Sequence, residues 1–439
     1  MRDKRRSEEI NKLMANSNLL DDFRWRGIVA QVSDGFAELA AKEQLTGYIG
    51  FDPTAASLHV GSLLPIMALA RFQRHGHTPI AIVGGGTSLV GDPSGKSQER
   101  PLLTAAQVEE NVAGLRKQLE PFLDFNAKSN PARLVNNAEW LTTIPLMEFL
   151  RDVGKYFTVN YMLNKESVKR RIDSEEGISF TEFTYMLTQA YDFLVLYDRF
   201  GCKVQMGGSD QWGNITAGMD LIGKLRRVQA HGLVFPLVTT SAGKKFGKTE
   251  AGTVWLDAKL TSPYRFYQFW FNTDDRDVVG YLKSFTWLER SEIEELEAAV
   301  QSAPEKRAAQ IRLAREVTKL LHGAASLDGA EKATRALFSE EIDSLSEAEL
   351  LDVLQEAPRA TLAKEKLAGS GLSIVDVCVG GGLAASKGEA RRLISGGGVY
   401  LNNRRISDEK QSVTPANSLH NRFLVLRRGQ EEFRLVELL

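Results

Sequence analysis

The segment YIGFDPTAASLHVGSLLP, residues 48–65, combines residue types that suit phosphate chemistry. A strand-like run enters Asp52 and Thr54, and His59 then precedes Gly61 where a helical pattern begins. The first N–H groups of a helix lack intrahelical partners and, together with the helix dipole, favour an anion. Gly61 permits close approach of a ligand, while His59 and Thr54 offer polar hydrogen atoms. The segment predicts a phosphate site, although an HxG pattern also fits close helix packing beside a surface histidine.

Two further stretches carry cations on glycine-containing loops. GGGTSLVGDPSGKSQER, residues 84–100, ends a strand in glycines and then contains a turn signal. It is not a P-loop, because the GxxxxGK[ST] spacing is not met in the right context. KKFGKTEAG, residues 244–252, suits a triphosphate that is held only during reaction, although a solvated basic hairpin has the same composition. The candidate phosphate-binding residues of both loops are Lys96, Arg100, Lys245, Lys248 and Thr249.

Polar side chains also interrupt one apolar helix pattern and one strand end. In YMLTQAYDFLVLY, residues 185–197, three polar residues recur at i, i+4 and i+7 and therefore share a helix face. Such a face needs partners, either in a core network or on a polar ligand. QMGGSDQWGN, residues 205–214, surrounds a Gly-Gly with polar groups, which suits recognition of a sugar hydroxyl or forms a plain turn. The candidates are Tyr185, Gln189, Asp192, Gln205, Asp210 and Gln211.

The elements that must position these groups alternate between strands and helices from about residue 46 to residue 240. The runs TGYIGF, TPIAIV and CKVQMGG predict strands, and a helix is expected to end at Gly76. Another helix is expected after Thr104, where Gln107 gives the spacing of a capping box. This alternation predicts right-handed crossovers and a mostly parallel sheet. Ligands of such sheets bind at the carboxyl ends of the strands, where the polar clusters fall.

The sequence changes character after about residue 260. Aromatic residues crowd SPYRFYQFWFN, and the acidic amphipathic patterns SEIEELEAAVQ and SEAELLDVLQ predict a helical domain. KLAGSGLS, residues 366–373, predicts a linker. From residue 371 onward, ten lysines and arginines stand against seven acidic residues, so the last segment is locally basic.

Length, composition and charge exclude several classes of protein. A chain of 439 residues exceeds one ordinary core, so two or three domains are expected, and 43% hydrophobic with 25% charged residues is typical of soluble globular proteins. The formal net charge of -1 means that any basic surface for nucleic acid is local. Two distant cysteines, Cys202 and Cys378, exclude a disulfide framework and suit a reducing cytoplasm. We expect no signal peptide and no membrane span.

Taken in order, these motifs resemble those of bacterial-type tyrosyl-tRNA synthetases, which are class I aminoacyl-tRNA synthetases. HVGS is similar to the family's HIGH motif, KFGKT to its KMSKS loop, and GGSDQWGN and TQAYDFL to its substrate pocket. ASKGEARRLISGGGVYLNNRRI, residues 385–406, resembles the S4 RNA-binding module. The resemblance implies an α/β fold with a Rossmann-like parallel-sheet catalytic domain, an α-helical domain and a small α+β S4-like domain, which we expect over residues 1–260, 261–365 and 371–439.

The resemblance implies a two-step reaction. The carboxylate of L-tyrosine attacks the α-phosphate of ATP, pyrophosphate leaves, and the tyrosyl-adenylate passes tyrosine to the terminal adenosine of tRNA(Tyr). No covalent enzyme intermediate is needed, because catalysis comes from charge placed where the transition state develops it. Mg²⁺ is expected to arrive with the ATP phosphates rather than in a dedicated carboxylate cage. A homodimer is expected from the family alone.

The same resemblance implies a role for each candidate residue. Those expected to hold the triphosphate or departing pyrophosphate are Thr54, His59, Lys96, Arg100, Lys245, Lys248 and Thr249. Those expected to bind ATP or line the adenylate are Gly50, Asp52, Gly61, Gly208, Asp210 and Lys248. Those expected to contact tyrosine are Tyr48, Asp92, Tyr185, Gln189, Asp192, Gln205 and Gln211. Those expected to contact tRNA, where a solvated helix face is the alternative, are Lys387, Arg391, Arg392, Arg404 and Arg405.

Tyr48 and Asp192 are the pair expected to decide the amino acid. Phenylalanine would leave a buried carboxylate and a buried hydroxyl without a partner, which is costly. The sequence departs from the family at Ser62, which stands in place of the second histidine of HIGH and cannot carry its charge. Pro65 follows, and a proline is tolerated only near the start of a helix.

Three rival functions share part of this pattern. A tryptophanyl-tRNA synthetase has a sister fold, but Tyr48 with Asp192 and the S4-like tail speak against it. An RNA-binding protein built on an inactive synthetase scaffold would not need His59, Lys245 and Lys248. A nucleotidyltransferase that forms a different adenylate shares only the HIGH-like stretch and leaves the tail unexplained.

Overall fold

The computed structural model describes residues 18–53, 55, 57–92, 104–173, 177–241, 243, 246–249, 252–355, 357–429 and 432–439. These residues form two compact units. The first comprises the chain up to Leu260 together with Thr273–Glu316, and the second comprises Thr261–Asn272 together with Val317–Leu439. The expected division into three domains stays a prediction.

The helices of both units are named in chain order. Most of them are short, and the longest is broken at Gly323, whose φ of 82° is not helical. The helices are α1 (Leu19–Trp25), α2 (Phe36–Lys42), α3 (Leu63–Arg74), α4 (Ala105–Leu119), α5 (Ala138–Leu141), α6 (Leu146–Asp152), α7 (Val159–Leu163), α8 (Glu166–Ile172), α9 (Phe180–Phe200), α10 (Trp212–Arg226), α11 (Pro263–Phe271), α12 (Asp275–Phe285), α13 (Arg290–Ser302), α14 (Ala308–Phe338), α15 (Glu347–Val353), α16 (Ile374–Gly380) and α17 (Lys387–Ser395).

A six-stranded sheet organises the first unit. Its strands are β1 (Gln31–Val32), β2 (Thr46–Phe51), β3 (Thr78–Val83), β4 (Arg133–Asn136), β5 (Val204–Gly208) and β6 (His231–Phe235). Their order is β1-β6-β5-β2-β3-β4, and every pair is parallel except the one that β1 makes with β6. The chain runs from β2 outward to β4 and then from β5 to β6 on the other side. The strand order therefore reverses between β2 and β5, and the predicted α/β fold is confirmed.

The local signals in the sequence place several boundaries correctly. The run TGYIGF forms β2, and α3 ends before Gly76, whose φ is +88°. Thr104 and Gln107 form the expected capping box at the start of α4. Pro65 is the third residue of α3, early enough to remove no internal hydrogen bond of the helix.

The hydrophobic core beside this sheet is built by the two long helices that flank β5. Residues of α9 and α10, among them Phe193 and Leu221, pack with Tyr48, Ile80 and Ile82 of strands β2 and β3. Because β2 is buried on both sides along most of its length, its sequence is nearly continuous in apolar residues. Gly50 is the exposed exception close to its carboxyl end.

The second unit contains a five-stranded sheet. Its strands are β9 (Arg359–Leu362), β11 (Val399–Leu401), β12 (Arg404–Arg405), β14 (Phe423–Arg428) and β15 (Glu432–Leu438), in the order β12-β11-β14-β15-β9. Helices α16 and α17 contribute to one core with this sheet, and α14 and α15 contribute to another. The short strands β10 (Leu372–Ser373) and β13 (Ser412–Val413) pair separately. The segment expected to be a linker thus includes the fully buried Leu367 and a paired strand.

Two further properties concern the described residues as a whole. None of their helices is both long and apolar enough to cross a lipid bilayer. They also contain no cluster of three or more His, Cys, Asp or Glu side chains arranged to hold a metal ion.

Candidate active site

A cavity of about 620 Å³ opens in the first unit beyond the carboxyl ends of β2, β3, β5 and β6. This is the position that the reversal of strand order predicts for a ligand. The candidate residues that line the cavity are Tyr48, Gly50, Asp52, His59, Gly61, Asp92, Tyr185, Gln189, Asp192, Gln205, Gly208, Asp210 and Gln211. The structure therefore brings together candidates that span more than 160 residues of sequence.

One buried polar group of the cavity is the carboxylate of Asp192, on α9. Asn137 Nδ2 donates to Asp192 Oδ2 at 2.8 Å, and Trp140 Nε1 donates to Asp192 Oδ1 at 2.7 Å. Burial raises the pKa of Asp192 to about 7, and these two hydrogen bonds act in the opposite direction. Two neutral donors thus hold this buried carboxylate, and among the residues that the structure describes no cation lies beside it.

The hydroxyl of Tyr48 is buried in the same part of the cavity and has no hydrogen-bond partner within the described residues. Burial, and then the nearby Asp192, raise the pKa of Tyr48 well above its usual range. On the neighbouring strand Gln205 pairs in register with Tyr48, and its buried Oε1 also lacks a partner in the described structure. Buried polar atoms are nearly always paired, so these two atoms point to a polar ligand.

A chain of side-chain amides forms another wall of the cavity. Gln211 Nε2 donates to Asp92 Oδ2 at 2.9 Å, and Gln189 Nε2 donates to Gln211 Oε1 at 3.2 Å. Asn214 Nδ2 donates to Gln189 Oε1 at 3.0 Å. Through these bonds the buried Asp92 carboxylate keeps a fixed orientation while it lines the cavity, as a site for a cationic group requires.

The start of helix α3 differs in one respect from the expected phosphate site. A short 3₁₀ turn, Val60–Ser62, precedes the helix, and its amides already have partners: Val60 N–H donates to Val254, Gly61 N–H to His59 Nδ1 at 3.0 Å, and Ser62 N–H to His59. The expectation of free amides at this point is therefore wrong. What faces the cavity is the exposed His59 ring, whose Nε2 carries the proton of the neutral form because Nδ1 accepts.

Gly247, in the middle of the KFGKT motif, lies directly against this turn. A Cβ placed on Gly247, whose φ is +81°, would lie 2.6 Å from Val60 Cγ2. Phe246 is buried and stacks on Phe285 of α12, with ring centroids 5.6 Å apart. One residue of the motif thus lies next to the HVGS turn, and the expected contacts of its lysines with phosphate stay predictions. Lys248 and Thr249 form β7, which pairs with β8 (Gly252–Thr253).

Several candidate residues fall where the structure gives no side-chain position. Thr54, Lys96, Arg100 and Lys245 lie outside the described residues, and the side chains of Lys248 and Thr249 are likewise not described. Their expected contacts with phosphate stay predictions.

Comparison with known proteins decides the family. Residues 40–339 match the family described as tRNA synthetases class I (W and Y), and residues 349–436 match the tyrosine–tRNA ligase SYY-like C-terminal domain. The chain belongs to the tyrosine–tRNA ligase family of class I synthetases. The tyrosine–tRNA ligase of Roseiflexus castenholzii is 56% identical over 422 residues, covering 96% of this chain and 100% of that relative.

Other members of the tyrosine–tRNA ligase family are similar over most of the chain. The tyrosine–tRNA ligase of Geobacillus stearothermophilus is 51% identical over 422 residues, covering 95% of this chain and 99% of that relative. The crystal structure of a C-terminally truncated mitochondrial tyrosyl-tRNA synthetase from Aspergillus nidulans has a TM-score of 0.68 and 31% identity, covering 76% of this chain and 100% of that one. The predicted resemblance is confirmed, and the tryptophanyl rival is set aside.

Three residues that support the cavity lining were not predicted from the sequence. Asn137 and Trp140, which hold Asp192, follow β4, and Asn214 lies one helical turn beyond Gln211. The run RLVNN at the end of an apolar strand carried the same signal that singled out the other strand ends. A strand of four residues is too short to show an alternating pattern, so the sequence alone does not mark this strand end.

The five basic residues expected to contact tRNA lie on α17 and β12. Lys387 Nζ is 2.6 Å from Asp376, Arg391 is 3.8 Å from Glu409, and Arg404 is 3.8 Å from Asp343, all on the surface. Arg405 Nε donates to the carbonyl of Gly397 at 3.0 Å and so supports the turn that follows α17. Neighbouring strand residues point to opposite faces, so Arg404 and Arg405 do not share one face.

Proposed function

We propose that this chain activates L-tyrosine with ATP and transfers it to tRNA(Tyr). The observation that carries the proposal is the pair of Tyr48 and Asp192 in one cavity of a tyrosine–tRNA ligase family member. A phenolic hydroxyl can donate to the Asp192 carboxylate and accept from the otherwise unpartnered Tyr48 hydroxyl. Phenylalanine offers neither bond, so it leaves both buried groups unpaired.

The rest of the substrate then extends from this pair toward His59. The amide-held Asp92 carboxylate, with Tyr185 and Gln189, receives the ammonium group, while Gln205 and Gln211 complete the wall beside it. Gly208 and Asp210, at the carboxyl end of β5, receive the ribose of ATP. Gly50 and Asp52, at the end of β2, border the α-phosphate where the tyrosine carboxylate attacks.

The negative charge that develops on the phosphates is met by side chains rather than by free helix amides. His59 donates from Nε2, and Thr54, Lys96, Arg100, Lys245, Lys248 and Thr249 supply the remaining polar hydrogens. Mg²⁺ enters as part of the ATP substrate. Ser62 is the N-cap residue of α3 and makes no capping bond with its side chain, so a hydroxyl takes the place of a second histidine.

Two further parts of the proposal concern assembly and partners. Exposed apolar side chains concentrate on α6, α7 and the start of α9, which fits a homodimer; they include Leu146, Met147, Val159 and Phe180. Lys387, Arg391, Arg392, Arg404 and Arg405 contact tRNA phosphates. A cytoplasmic location, suited to two free and buried cysteines, belongs to the same proposal.

Tyrosine-dependent exchange of pyrophosphate into ATP tests the function directly. We expect exchange with L-tyrosine, and exchange lower by orders of magnitude with L-phenylalanine and L-tryptophan. Binding of tRNA without exchange for any of the three amino acids would refute the catalytic proposal and support an RNA-binding protein on an inactive scaffold. Preference for tryptophan would refute the role of Tyr48 and Asp192.

A further inference from the structure

The hairpin turn between β11 and β12 is made of two asparagines with left-handed backbone. Asn402 has a φ of 48° and Asn403 a φ of 60°. Two-residue hairpin turns favour this conformation, and glycine is the residue that adopts it at least cost. Asparagine at both positions therefore indicates that the side chains form hydrogen bonds which glycine could not supply.

The side chain of Asn402 forms hydrogen bonds with residues that follow the hairpin in the chain. Its Nδ2 donates to the carbonyl of Asn417 at 2.6 Å, and its Oδ1 accepts from the amide of Val425 at 2.9 Å. These bonds tie the turn to β14 and to the segment around Asn417, and they account for an asparagine at position 402.

Asn403 instead reaches the end of the long helix α14. Its Nδ2 lies 3.3 Å from the carbonyl oxygen of Ala336, 2.8 Å from that of Leu337 and 2.9 Å from that of Ser339. The last carbonyls of a helix lack intrahelical partners, so one side-chain amide here caps a helix that precedes it by more than sixty residues.

The orientation of the Asn403 amide is fixed from its other end. Arg427 Nε donates to Asn403 Oδ1 at 3.1 Å, and the Arg427 guanidinium lies over the ring of Tyr400, 4.0 Å from its centroid. Asn403 is 6% exposed and Arg427 is 7% exposed, so the whole arrangement is shielded from water. Buried polar networks whose members are all paired give a unique geometry.

The apolar contacts between α14 and the sheet do not by themselves fix the orientation of the helix relative to the hairpin. Ala336 and Leu337 of α14 share a core with Phe423, Val425 and Leu435 of the sheet. Hydrophobic burial holds the helix and the sheet together, but it is non-directional and permits small rotations. The hydrogen bonds of Asn403 select one orientation among those that the core allows.

We propose that Asn403 is a positioning residue for tRNA binding, because it fixes the hairpin to α14 and so places Arg404 where it meets a phosphate. Arg404 is the next residue in the chain, its side chain is 67% exposed, and its recorded ion pair with Asp343 is long, at 3.8 Å. A phosphate replaces that weak pair at little cost. The inference rests on the proposed function, since it presumes that this module binds tRNA.

Asn403→Gly is the sharpest test, because glycine keeps the left-handed turn and removes only the side-chain bonds. Asn421→Gly is the matched control: Asn421 has a φ of 56°, is exposed, and makes no side-chain hydrogen bond in the described structure. We expect Asn403→Gly to lower kcat/KM for tRNA about tenfold through KM, with tyrosine-dependent exchange unchanged. Asn421→Gly is expected to leave both unchanged.

The salt dependence of tRNA binding separates positioning from a general loss of stability. Loss of one phosphate contact reduces the slope of log K against log salt by about one. We expect this reduction for Asn403→Gly and for Arg404→Ala alike, and no further reduction when the two are combined. Asn403→Asp, which keeps the volume but presents an acceptor to three carbonyls, is expected to behave like Asn403→Gly.

Unchanged tRNA kinetics and an unchanged salt slope in Asn403→Gly would overturn the inference. So would additive effects of Asn403→Gly and Arg404→Ala, or a loss of exchange in Asn403→Gly, which would indicate damage outside the second unit. Failure of the proposed function is distinguishable, because the unsubstituted protein would then show no tyrosine-dependent exchange.

Discussion

The buried carboxylate of Asp192 is proposed to bind the tyrosine hydroxyl, and its burial also lowers the stability of the folded protein at neutral pH. Burial raises its pKa to about 7 from an ordinary value of 3.8, although Asn137 and Trp140 donate to it. At a pH between 3.8 and about 7, Asp192 therefore stays protonated in the folded protein and is ionised in the unfolded chain. The stability that this group contributes is therefore complete below about pH 4 and is lost as the pH rises through about 7.

Asp192→Asn removes this titration. Without ligand, we expect the Tm of the variant minus that of the unsubstituted protein to rise by a few degrees as the pH increases from about 4 to about 7, since one pKa unit corresponds to about 1.4 kcal/mol. Calorimetry across this pH range measures the difference. Asp173→Asn, at an exposed position, is the control, and a Tm difference that does not vary with pH would contradict the assignment.

His59 lines the cavity, and in the proposed arrangement of substrates it meets the phosphates rather than the amino acid. We expect His59→Ala to slow formation of the adenylate by about 10² to 10³, the effect typical of one donor at a developing charge, and to leave tyrosine affinity nearly intact. Equilibrium binding of tyrosine and single-turnover formation of the adenylate measure the two quantities. Equal losses in both would show that His59 acts on the ground state instead.

Helix α12 anchors the described part of the lysine loop, which comprises Ser241, Gly243 and residues 246–249. Phe246 fixes it on α12, and the Ser241 amide and hydroxyl donate to Asp277 near the start of the same helix, at 3.0 and 3.1 Å. Gly247 then passes against the turn that holds His59. Helix α12 thus determines where the loop meets the HVGS turn.

Gly247→Ala tests this contact, and Gly243→Ala in the same loop is its matched control. Both glycines have positive φ, +81° and +73°, so both substitutions strain the backbone, but only Gly247 would place a methyl group 2.6 Å from Val60. We expect Gly247→Ala to reduce kcat of pyrophosphate exchange about tenfold beyond Gly243→Ala. Equal effects of the two substitutions would mean that the approach to Val60 plays no part in catalysis.

Local patterns in the sequence predicted the elements well. Strand β2 follows from its apolar run, and α4 follows from the capping box at Thr104, because both depend on neighbouring residues. The cavity followed from one topological rule, that parallel strands present ligands at their carboxyl ends. The predictions that concerned single hydrogen bonds were weaker, as the engaged amide of Gly61 shows.

What the sequence could not predict depends on residues far apart in the chain. Trp140 donates to Asp192 across 52 positions, and Asn403 caps α14 across 66. No periodicity or spacing encodes such pairs, since each arises only after the strands and helices have packed. These hydrogen bonds also fix the orientation of side chains and elements. The proposed function therefore depends strongly on contacts that sequence patterns do not reveal.

The proposed homodimer is supported by large apolar side chains that are exposed on the first unit. Met147 on α6 is 74% exposed, and Phe180 at the start of α9 is 78% exposed. Leu146 on α6 and Val159 on α7 are exposed as well. Exposed apolar residues scattered singly are ordinary, but a concentration of this kind marks a contact surface. Burial of such side chains contributes about 1.5 to 3 kcal/mol each.

Met147→Glu therefore places a charge where the proposed partner would bury a thioether. We expect the dissociation constant of the dimer to rise by at least about a hundredfold, because an unpaired charge in an interface is costly, and we expect the substituted chain to stay folded, because this side chain is outside the core. Sedimentation equilibrium measures the association, and circular dichroism the fold. Leu439→Glu, at a 69% exposed position in the second unit, is the control. A dimer that survives Met147→Glu would move the interface away from α6, and a monomer in the unsubstituted protein would remove the homodimer from the proposal.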